Sequence, residues 1–294
     1  MRILLTGTTG KVGGFLAQHW QPAHEVTPLT RAKVNLSEQD ELAHFLQENH
    51  FDLLVNPAAV STPEACEKDP ELAHQVNVAA PATMAKVCAE KNLPFIHFST
   101  DYVLDGSEPG FKDEQATCQP NNTYGQTKLA GEHAVLTAHP SALVTRVSWV
   151  FGSAGEGFLE KVFRQIQEGV ALEGVADKYS MPTSAAEIAH ALDHLLGQNA
   201  TGLFHLTQTA KDPVSWHRYA LEVAAAVHEA GLTPEPIPVT ARKMADIPVL
   251  RTNRPIHTAM KPVRIANFSH SMSPWTVLLR KRVQELAREI SSQR

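Results

Sequence analysis

A tyrosine and a lysine, Tyr124 and Lys128, stand four residues apart at the start of a stretch with helical character. Residues at this spacing lie on one face of a helix, so the two side chains would be neighbours. A phenol is a poor acid or base near neutral pH, but a nearby ammonium group favours the phenolate and lowers the phenol pKa. The pair could therefore deliver a proton to a carbonyl oxygen while hydride reaches the carbon. Taken alone, this spacing is better explained by an exposed amphipathic helix.

A second group of polar residues, Ser99-Thr100-Asp101-Tyr102, directly follows the apolar stretch Phe95 to Phe98. In a doubly wound sheet, ligands bind outside the carboxyl ends of the strands. The hydroxyl of Thr100 could hydrogen-bond a substrate carbonyl there and orient it. A turn or helix cap is the alternative role for Thr100. Its position between a glycine-rich turn and the Tyr-Lys pair favours a catalytic site.

The glycine-rich turn covers Gly7 to Gly13 (GTTGKVG) and separates an apolar stretch from a helical one. Such glycines let the backbone approach a pyrophosphate, and the following helix offers free N–H groups and the positive end of its dipole. The spacing is GxxGxxG and differs from the GxGxxG of many dehydrogenases. A tight turn that needs positive φ explains the glycines equally well. Their position in a strand-turn-helix unit at residues 7 to 13 favours a dinucleotide site.

Arg31 lies at the end of the second predicted strand, where NAD-specific folds usually carry an acid for the ribose hydroxyls. An arginine at this point suits a 2′-phosphate. The predicted cofactor is therefore NADP(H) in preference to NAD(H). A solvated surface arginine explains Arg31 almost as well.

The elements that must position these residues alternate between strand and helix over residues 1 to 150. The predicted strands are Arg2 to Thr6, Glu25 to Thr30, Phe51 to Asn56, Pro94 to Ser99 and Ala142 to Val150. The predicted helices are Lys11 to Trp20, Glu38 to Asn49 with Ser37 as N-cap, Ala73 to Lys91 interrupted by Pro81, and Tyr124 to Ala138. The strands are apolar throughout, which is typical of a parallel sheet covered by helices on both faces. The sequence therefore predicts a doubly wound α/β fold.

The second half, residues 151–294, contains nine prolines and has shorter predicted elements. We expect residues 1–150 to form a dinucleotide-binding domain. Residues 151–294 would form mainly a smaller substrate lobe, with some segments returning to the main sheet. The predicted elements of this half are helices at Ala185 to Leu196, Trp216 to Ala230 and Trp275 to Ile290, and a strand at Leu203 to Leu206.

Composition and charge exclude several classes of protein. The net charge of −5 argues against a dedicated nucleic-acid binder. No apolar run approaches the roughly 20 residues of a membrane span, and the short run after Arg2 does not predict an export signal. The three cysteines form no CxxC pair, which fits a reduced, cytoplasmic compartment. The histidines form no HExxH motif, so no metal site is predicted.

Several motifs together resemble one known family, the dTDP-4-dehydrorhamnose reductases, from the first residues to about residue 220. The motifs are GxxGxxG at Gly7 to Gly13, Asn56-Pro57-Ala58-Ala59, STDYVLDG at Ser99 to Gly106, YGQTKLAGE at Tyr124 to Glu132, RVSWVFG at Arg146 to Gly152, and Pro182-Thr183. The likeness resumes weakly at Arg254-Pro255 and Pro274-Trp275. The two sharpest motifs are STDYVLDG and YGQTKLAGE.

The resemblance implies a reductase of nucleotide-linked 4-keto-6-deoxysugars with a nicotinamide cofactor. Thr100 would orient the sugar C4 carbonyl, Tyr124 would donate the proton, and Lys128 would hold the nicotinamide ribose and tune Tyr124. Asp101, Tyr102 and Trp149 would border the sugar, although core packing explains Trp149 almost as well. The residues implied to bind the cofactor are Gly7, Thr9, Gly10, Lys11, Val12, Gly13, Asn35, Ala58, Ala59 and Ser61.

This sequence departs from the family pattern at several points. The family usually has an aspartate where Asn35 stands and a Val-Asp-Lys loop where Thr62 to Ala65 stand, so the identity of the substrate is left open. The bacterial reductases can hold magnesium with glutamates at a dimer interface. The segment Gly14-Phe15-Leu16 lacks the expected glutamate, so neither that metal nor that dimer is predicted. A homodimer of another kind remains an alternative.

Three other functions compete with keto-sugar reduction. Sugar-nucleotide dehydratases usually follow the threonine with Asp-Glu, whereas Tyr102 follows Asp101 here. An epimerase of the same fold remains an alternative. A non-catalytic, dinucleotide-binding regulatory subunit, such as that of methionine adenosyltransferase, is the third. The presence of Thr100, Tyr124 and Lys128 argues against it.

Overall fold

The computed structural model describes residues 1–153, 155, 157–247, 250 and 253–292. A six-stranded sheet lies at its centre, and all its neighbouring strands are parallel, in the order β10-β5-β4-β3-β1-β2. The strands are Arg2–Thr6 (β1), Glu25–Leu29 (β2), Leu53–Asn56 (β3), Phe95–Thr100 (β4), Leu143–Val147 (β5) and Gly202–His205 (β10). The predicted doubly wound α/β fold is confirmed.

Helices cover both faces of this sheet. They are Lys11–Trp20 (α1), Gln39–Glu48 (α2), Pro63–Lys68 (α3), Pro70–His74 (α4), Ala80–Glu90 (α5), Thr123–Ala138 (α6) and Ala185–Gly197 (α8). Alternate residues of a strand point to opposite faces. Ile3 and Leu5 accordingly pack with α1 and α8 on one face. Leu4 and Leu54 pack with α2 and α5 on the other. Burial on both faces explains why the strand sequences are continuously apolar.

The strand order reverses between β1 and β3. β2 lies on one side of β1, and the strands that follow along the chain continue on the other side. In open α/β sheets, ligands bind in the crevice outside the carboxyl ends of the strands at such a point. The glycine-rich turn follows β1, and Pro57 to Ala59 follow β3, so both lie at this crevice.

The described part of the remaining chain adds three small sheets and three α-helices. The paired strands are Val150–Phe151 (β6) with Thr183–Ser184 (β9), Leu172–Val175 (β7) with Val239–Arg242 (β12), and Tyr179–Ser180 (β8) with Val214–Ser215 (β11). The helices are Phe158–Gln167 (α7), Trp216–Glu229 (α9) and Trp275–Ser291 (α10). Tyr219, Trp275 and Leu279 belong to a buried apolar cluster that these helices share. The division of the chain at residue 150 stays a prediction.

Two predicted element boundaries were wrong in the first half. Ser37 does not cap α2. Its hydroxyl instead donates to the Glu38 carboxylate at 3.3 Å, and α2 begins at Gln39. The predicted helix Ala73 to Lys91 is divided by a π-helical turn, Gln75–Ala79. Pro81 has no N–H for the carbonyl four residues before it, and the N–H of Ala80 reaches back five residues to Gln75.

The predicted strand Ala142 to Val150 was too long. β5 ends at Val147, because the Ser148 hydroxyl donates to the Met181 carbonyl at 2.7 Å and Trp149 has φ of 41°. Val150 and Phe151 then pair with β9, away from the central sheet. No helix among the residues described above combines the length and apolar character needed to cross a membrane.

Candidate active site

A cavity of about 750 Å³ opens at the carboxyl ends of β1, β3, β4 and β5. It brings together most of the residues singled out in the sequence. These are Gly7, Thr9, Gly10, Lys11, Val12, Gly13, Ala58, Ala59, Ser61, Thr100, Asp101, Tyr102, Tyr124, Lys128 and Trp149. Arg31 and Asn35 are not among the described residues that line it. Their predicted roles in binding a dinucleotide therefore stay predictions.

The glycine-rich turn forms one end of the cavity. Gly7 has φ of 58°, a conformation that favours glycine, and its carbonyl accepts the Gly10 N–H at 2.9 Å. A Cβ on Gly13 would lie 2.3 Å from the Gly7 oxygen, and one on Gly7 would lie 2.9 Å from the Ala58 nitrogen. The chain therefore needs glycine at both positions to make this turn.

α1 begins at Lys11, directly after the turn, and no side chain in the described part of the chain caps its first N–H groups. The first turn of an α-helix leaves such groups without carbonyl partners, and its dipole is positive at this end. The turn and helix start can thus accept an anionic group. These features fit the pyrophosphate of a nicotinamide dinucleotide.

Thr100 stands at the end of β4, where a short 3₁₀ turn, Asp101–Val103, begins. Its hydroxyl accepts the Tyr102 N–H at 3.3 Å and lies 3.2 Å from an Asp101 carboxylate oxygen. The capping role considered for Thr100 is thus present in the structure. The same residue also lines the cavity, so the cap fixes its position without excluding a contact with a ligand.

Tyr124 lies in the first turn of α6. Asn122 caps this helix by accepting the Gly125 N–H at 2.8 Å. A Cβ on Gly125 would lie 2.3 Å from the Tyr102 carbonyl oxygen, so α6 contacts the 3₁₀ turn through backbone atoms. The Tyr102 and Tyr124 rings meet edge to face, with centroids 5.4 Å apart. Close packing thereby places Tyr124 next to the end of β4.

The predicted lowering of the Tyr124 pKa by Lys128 was wrong for this structure. Tyr124 is partly exposed to the cavity, but removal from bulk water raises the pKa of its phenol above the ordinary value, and Asp101 adds to the rise. A hydrogen bond with Thr100 opposes this shift without cancelling it. The phenol therefore keeps its proton at neutral pH, which suits an acid.

Lys128 is 2% exposed. Its Nζ donates to the Phe98 carbonyl at 2.6 Å and lies 3.3 Å from His97 Nε2. Burial lowers the pKa of Lys128 to about 8, although Glu132 and Cys66 raise it. Burial thus disfavours the charged forms of both Tyr124 and Lys128, and this effect outweighs the attraction expected from their spacing.

Asp101 lines the cavity and is anchored by hydrogen bonds to other segments of the chain. One carboxylate oxygen accepts from the Ser180 hydroxyl at 2.7 Å and from the Thr258 hydroxyl at 2.5 Å. Lys178 is fully buried, donates to Thr258 at 3.1 Å and lies 5.2 Å from the centroid of the Tyr102 ring. With Thr100 beside the other oxygen, Asp101 is engaged on both oxygens by protein side chains.

Arg254 completes the wall on the side of Tyr102. It donates to the Tyr102 hydroxyl at 2.9 Å and forms an ion pair with Glu64, and both Arg254 and Glu64 line the cavity. The sequence analysis assigned no role to Glu64 or Lys178. It included Arg254 only because Arg254-Pro255 weakly resembles a family motif. No local pattern marks these residues, because they meet only when distant segments fold together.

Trp149 lines the cavity and also packs against aromatic neighbours. Its ring stacks on Tyr219 at 6.4 Å and lies 5.7 Å from Trp216. Both explanations considered for Trp149 are therefore compatible with its position. A positive φ is rare for so bulky a residue and is common at functional sites.

No group of three or more histidine, cysteine, aspartate or glutamate residues in the described ranges could hold a metal ion. Cys66, Cys88 and Cys118 are free thiols.

Comparisons with known proteins agree on one family. A family model described as "RmlD substrate binding domain" matches residues 1–288. The sequence is 36% identical over 197 residues to the probable low-salt glycan biosynthesis reductase Agl14 of Haloferax volcanii, covering 65% of this chain and 66% of that protein. It is 33% identical over 258 residues to a dTDP-4-dehydrorhamnose reductase of Burkholderia thailandensis, covering 84% and 85%.

Solved structures share the fold. The crystal structure of a dTDP-4-dehydrorhamnose reductase from Bacillus anthracis in complex with NADP gives a TM-score of 0.86 at 23% identity. The match covers 97% of this chain and 99% of that one.

Proposed function

Since the chain belongs to the RmlD substrate binding domain family, which it shares with dTDP-4-dehydrorhamnose reductases, we propose a reaction for it. We propose that it reduces the C4 keto group of a nucleotide-linked 4-keto-6-deoxysugar with NAD(P)H. The chain is then an NAD(P)-dependent oxidoreductase of nucleotide sugars. A reaction of the type dTDP-4-dehydrorhamnose to dTDP-rhamnose fits best. The supporting observation is that Thr100, Tyr124 and Lys128 share one cavity with the glycine-rich turn.

The glycine-rich turn and the start of α1 would bind the pyrophosphate of the cofactor, and Ala58, Ala59 and Ser61 would line its edge. Bound in this way, the nicotinamide supplies a hydride to the carbonyl carbon. Lys128, which lines the same cavity, would hold the nicotinamide ribose.

Tyr124 would donate the proton that balances the hydride. Its raised pKa keeps the phenol protonated, so the proton is available when negative charge develops on the carbonyl oxygen. Thr100 would orient that oxygen by a hydrogen bond to it. Tyr102 and Trp149 would border the sugar, and Asp101 would fix the turn that carries Tyr102.

NADP(H) is the cofactor we favour, because Arg31 follows β2 where an acid is usual in NAD-specific folds. The preference would come from the 2′-phosphate alone, since the turn and α1 contact parts that both dinucleotides share. A cytoplasmic location and a homodimer belong to the same proposal.

The test is to follow NADPH absorbance with purified protein and dTDP-4-dehydrorhamnose, and to repeat it with NADH. Rapid oxidation and formation of the 4-hydroxy sugar nucleotide are expected. Tight NADPH binding without oxidation of any keto-sugar would contradict the proposal and favour a regulatory subunit. Conversion of the sugar with no net loss of NADPH would favour an epimerase.

A further inference from the structure

Lys178 is a buried lysine next to the candidate active site. It directly precedes β8, and its side chain is fully buried. Its Nζ donates to the Thr258 hydroxyl at 3.1 Å and lies over the Tyr102 ring, 5.2 Å from the ring centroid. Lys178 is not among the described residues that line the cavity, and the reaction proposed above gives it no role.

The amine of Lys178 is a cation at neutral pH. Burial lowers the pKa of Lys178 to about 8, while Asp101 raises it and Arg254 lowers it further. A pKa of about 8 leaves most of the amine protonated at pH 7. A charge that is buried in this way needs a partner of opposite sign, because it has lost its hydration. Asp101 is the acid that acts on Lys178.

Hydrogen bonds join Lys178 to Asp101 in a defined direction. An ammonium group only donates, so the Thr258 oxygen accepts from Lys178. The Thr258 hydroxyl can then donate, and the Asp101 carboxylate oxygen at 2.5 Å is closer to it than the Tyr179 carbonyl at 3.2 Å. Ser180 donates to the same Asp101 oxygen at 2.7 Å. One hydroxyl group therefore bridges the ammonium group and the carboxylate.

The Tyr102 side chain contacts two cations. Lys178 lies over the face of its ring, and Arg254 donates to its hydroxyl at 2.9 Å. The negative face of an aromatic ring attracts an ammonium group at this distance. A guanidinium group only donates, so the Tyr102 oxygen accepts from Arg254 and its own proton can go to another acceptor. Tyr102 lines the cavity, and its orientation there depends on both contacts.

We propose that Lys178 is a positioning residue, whose ammonium group balances the charge of Asp101 through the Thr258 hydroxyl and supports the Tyr102 ring. Lys178 and Thr258 come from the second half of the chain, whereas Asp101 and Tyr102 follow β4. This cluster thus holds the end of the sheet against the later segments. The inference deepens the proposed function, since it rests on Tyr102 bordering a sugar. Lys178 then affects how well the sugar nucleotide binds and leaves hydride transfer unchanged.

Steady-state kinetics of two variants test this role. Lys178→Gln can still donate to Thr258 but has no charge. KM for dTDP-4-dehydrorhamnose should rise by about 2- to 30-fold, as expected for the loss of a cation from an aromatic face. Both kcat and the Kd for NADPH should stay nearly the same. Lys178→Arg keeps the charge and should return KM toward the unmodified value. An unchanged KM in Lys178→Gln, or an equal loss of NADPH binding, would overturn the proposal.

A double-mutant cycle tests the pairing of the two charges without any substrate. Lys178→Met and Asp101→Asn should each lower the midpoint of urea unfolding of the full chain, because each leaves one buried charge without its partner. The double variant should lower the midpoint by less than the two single losses combined. Losses that simply add would show that the two charges are independent and would overturn the proposal. If Lys178→Met does not fold, Lys178→Gln takes its place in the cycle.

The matched control is Lys91→Met. Lys91 also lies over an aromatic ring, 5.4 Å from the Phe51 centroid, but its Nζ donates to backbone carbonyls. KM should stay unchanged in this control, and its effect on the urea midpoint should add to that of Asp101→Asn. A protein that oxidises no NADPH with any keto-sugar would contradict the proposed function, while the cycle would still show whether Lys178 and Asp101 are coupled. An active protein in which the two charges are independent would contradict this inference alone.

Discussion

On one side of the cavity, Gly7, Gly13 and Ala58 are in contact through backbone atoms, and there is no room for a further carbon. We refer to these three residues as the glycine wall. On the other side, Glu64, Tyr102 and Arg254 are joined only by their side chains, and they lie far apart in the sequence. We refer to these three as the arginine wall. The first depends on shape and the second on charge and hydrogen bonds.

This difference indicates how the site could change. A wall made of backbone atoms presents N–H groups that every chain has, so it suits a ligand shared by many enzymes. A wall made of side chains can be altered by single substitutions without moving a strand. The glycine wall therefore fits the constant cofactor, and the arginine wall fits the part of the site that selects a sugar.

The largest expected effect lies between the two walls, at Tyr124. Tyr124→Phe removes the proton donor but keeps the ring that packs on Tyr102. Turnover should fall by about 10²- to 10⁴-fold, while the Kd for NADPH changes little. The measurements are the rate of NADPH oxidation and NADPH fluorescence.

Tyr102→Phe is the matched control for this variant. It removes the hydroxyl that accepts from Arg254, with the same change in composition. We expect it to raise KM for the sugar nucleotide and to retain most of kcat. If Tyr124→Phe turned over at the normal rate, Tyr124 would not be the proton donor.

A methyl group on the glycine wall should have the next largest effect. In Gly13→Ala, the new Cβ would lie 2.3 Å from the Gly7 oxygen, so the turn must move. Overpacking of this kind costs about 1–3 kcal/mol, and the Kd for NADPH should rise by roughly 10- to 100-fold. Gly197→Ala is the control, because its Cβ would have no neighbour within 4 Å in the described structure. Equal NADPH binding by both variants would contradict a close fit at the turn.

Much of the fold and of the glycine wall could be predicted from the sequence, because both follow from local patterns. Runs such as Leu53 to Val55 are apolar throughout because the strand is buried on both faces. The glycine spacing reflects a turn that residues 7 to 13 make among themselves. Thr100 and Tyr124 could be located because each stands next to an element end.

The arginine wall and the hydrogen bonds that anchor Asp101 could not be predicted in this way. Arg254 and Tyr102 are hydrogen-bonded although they are 152 residues apart in the sequence, and Thr258 and Asp101 are hydrogen-bonded although they are 157 residues apart. Such contacts depend on how distant segments pack, and no local spacing encodes them. The pKa of Tyr124 was mispredicted for a related reason, since burial by the whole fold outweighs one neighbour in the helix.

Loss of the cation in the arginine wall should have an intermediate effect. Arg254→Gln removes the charge that faces Glu64 and weakens the bond to Tyr102. Hydrogen bonds to charged groups contribute about 1.5–3 kcal/mol, so KM for the sugar nucleotide should rise by roughly 10- to 100-fold. The Kd for NADPH should be unaffected, because the glycine wall is unchanged.

Arg280→Gln serves as its control, since Arg280 pairs with Glu222 and Glu229 and does not line the cavity. Both kinetic constants should match those of the unmodified protein. A loss in kcat with unchanged KM in Arg254→Gln would assign Arg254 to the chemical step and would remove the distinction between the two walls.

The smallest expected effect concerns the proposed contact with the 2′-phosphate, which neither wall provides. Arg31 is exposed and lies outside the residues that line the cavity, so a contact with a 2′-phosphate would be screened by solvent. Arg31→Ala should lower kcat/KM with NADPH by about fivefold, because exposed ion pairs contribute at most about 1 kcal/mol. The value with NADH should stay the same, since NADH has no 2′-phosphate. Lys33→Ala, two residues further on, is the control for a general loss of positive charge. An equal fall with both cofactors would show that Arg31 supports the fold of this edge and does not select NADPH.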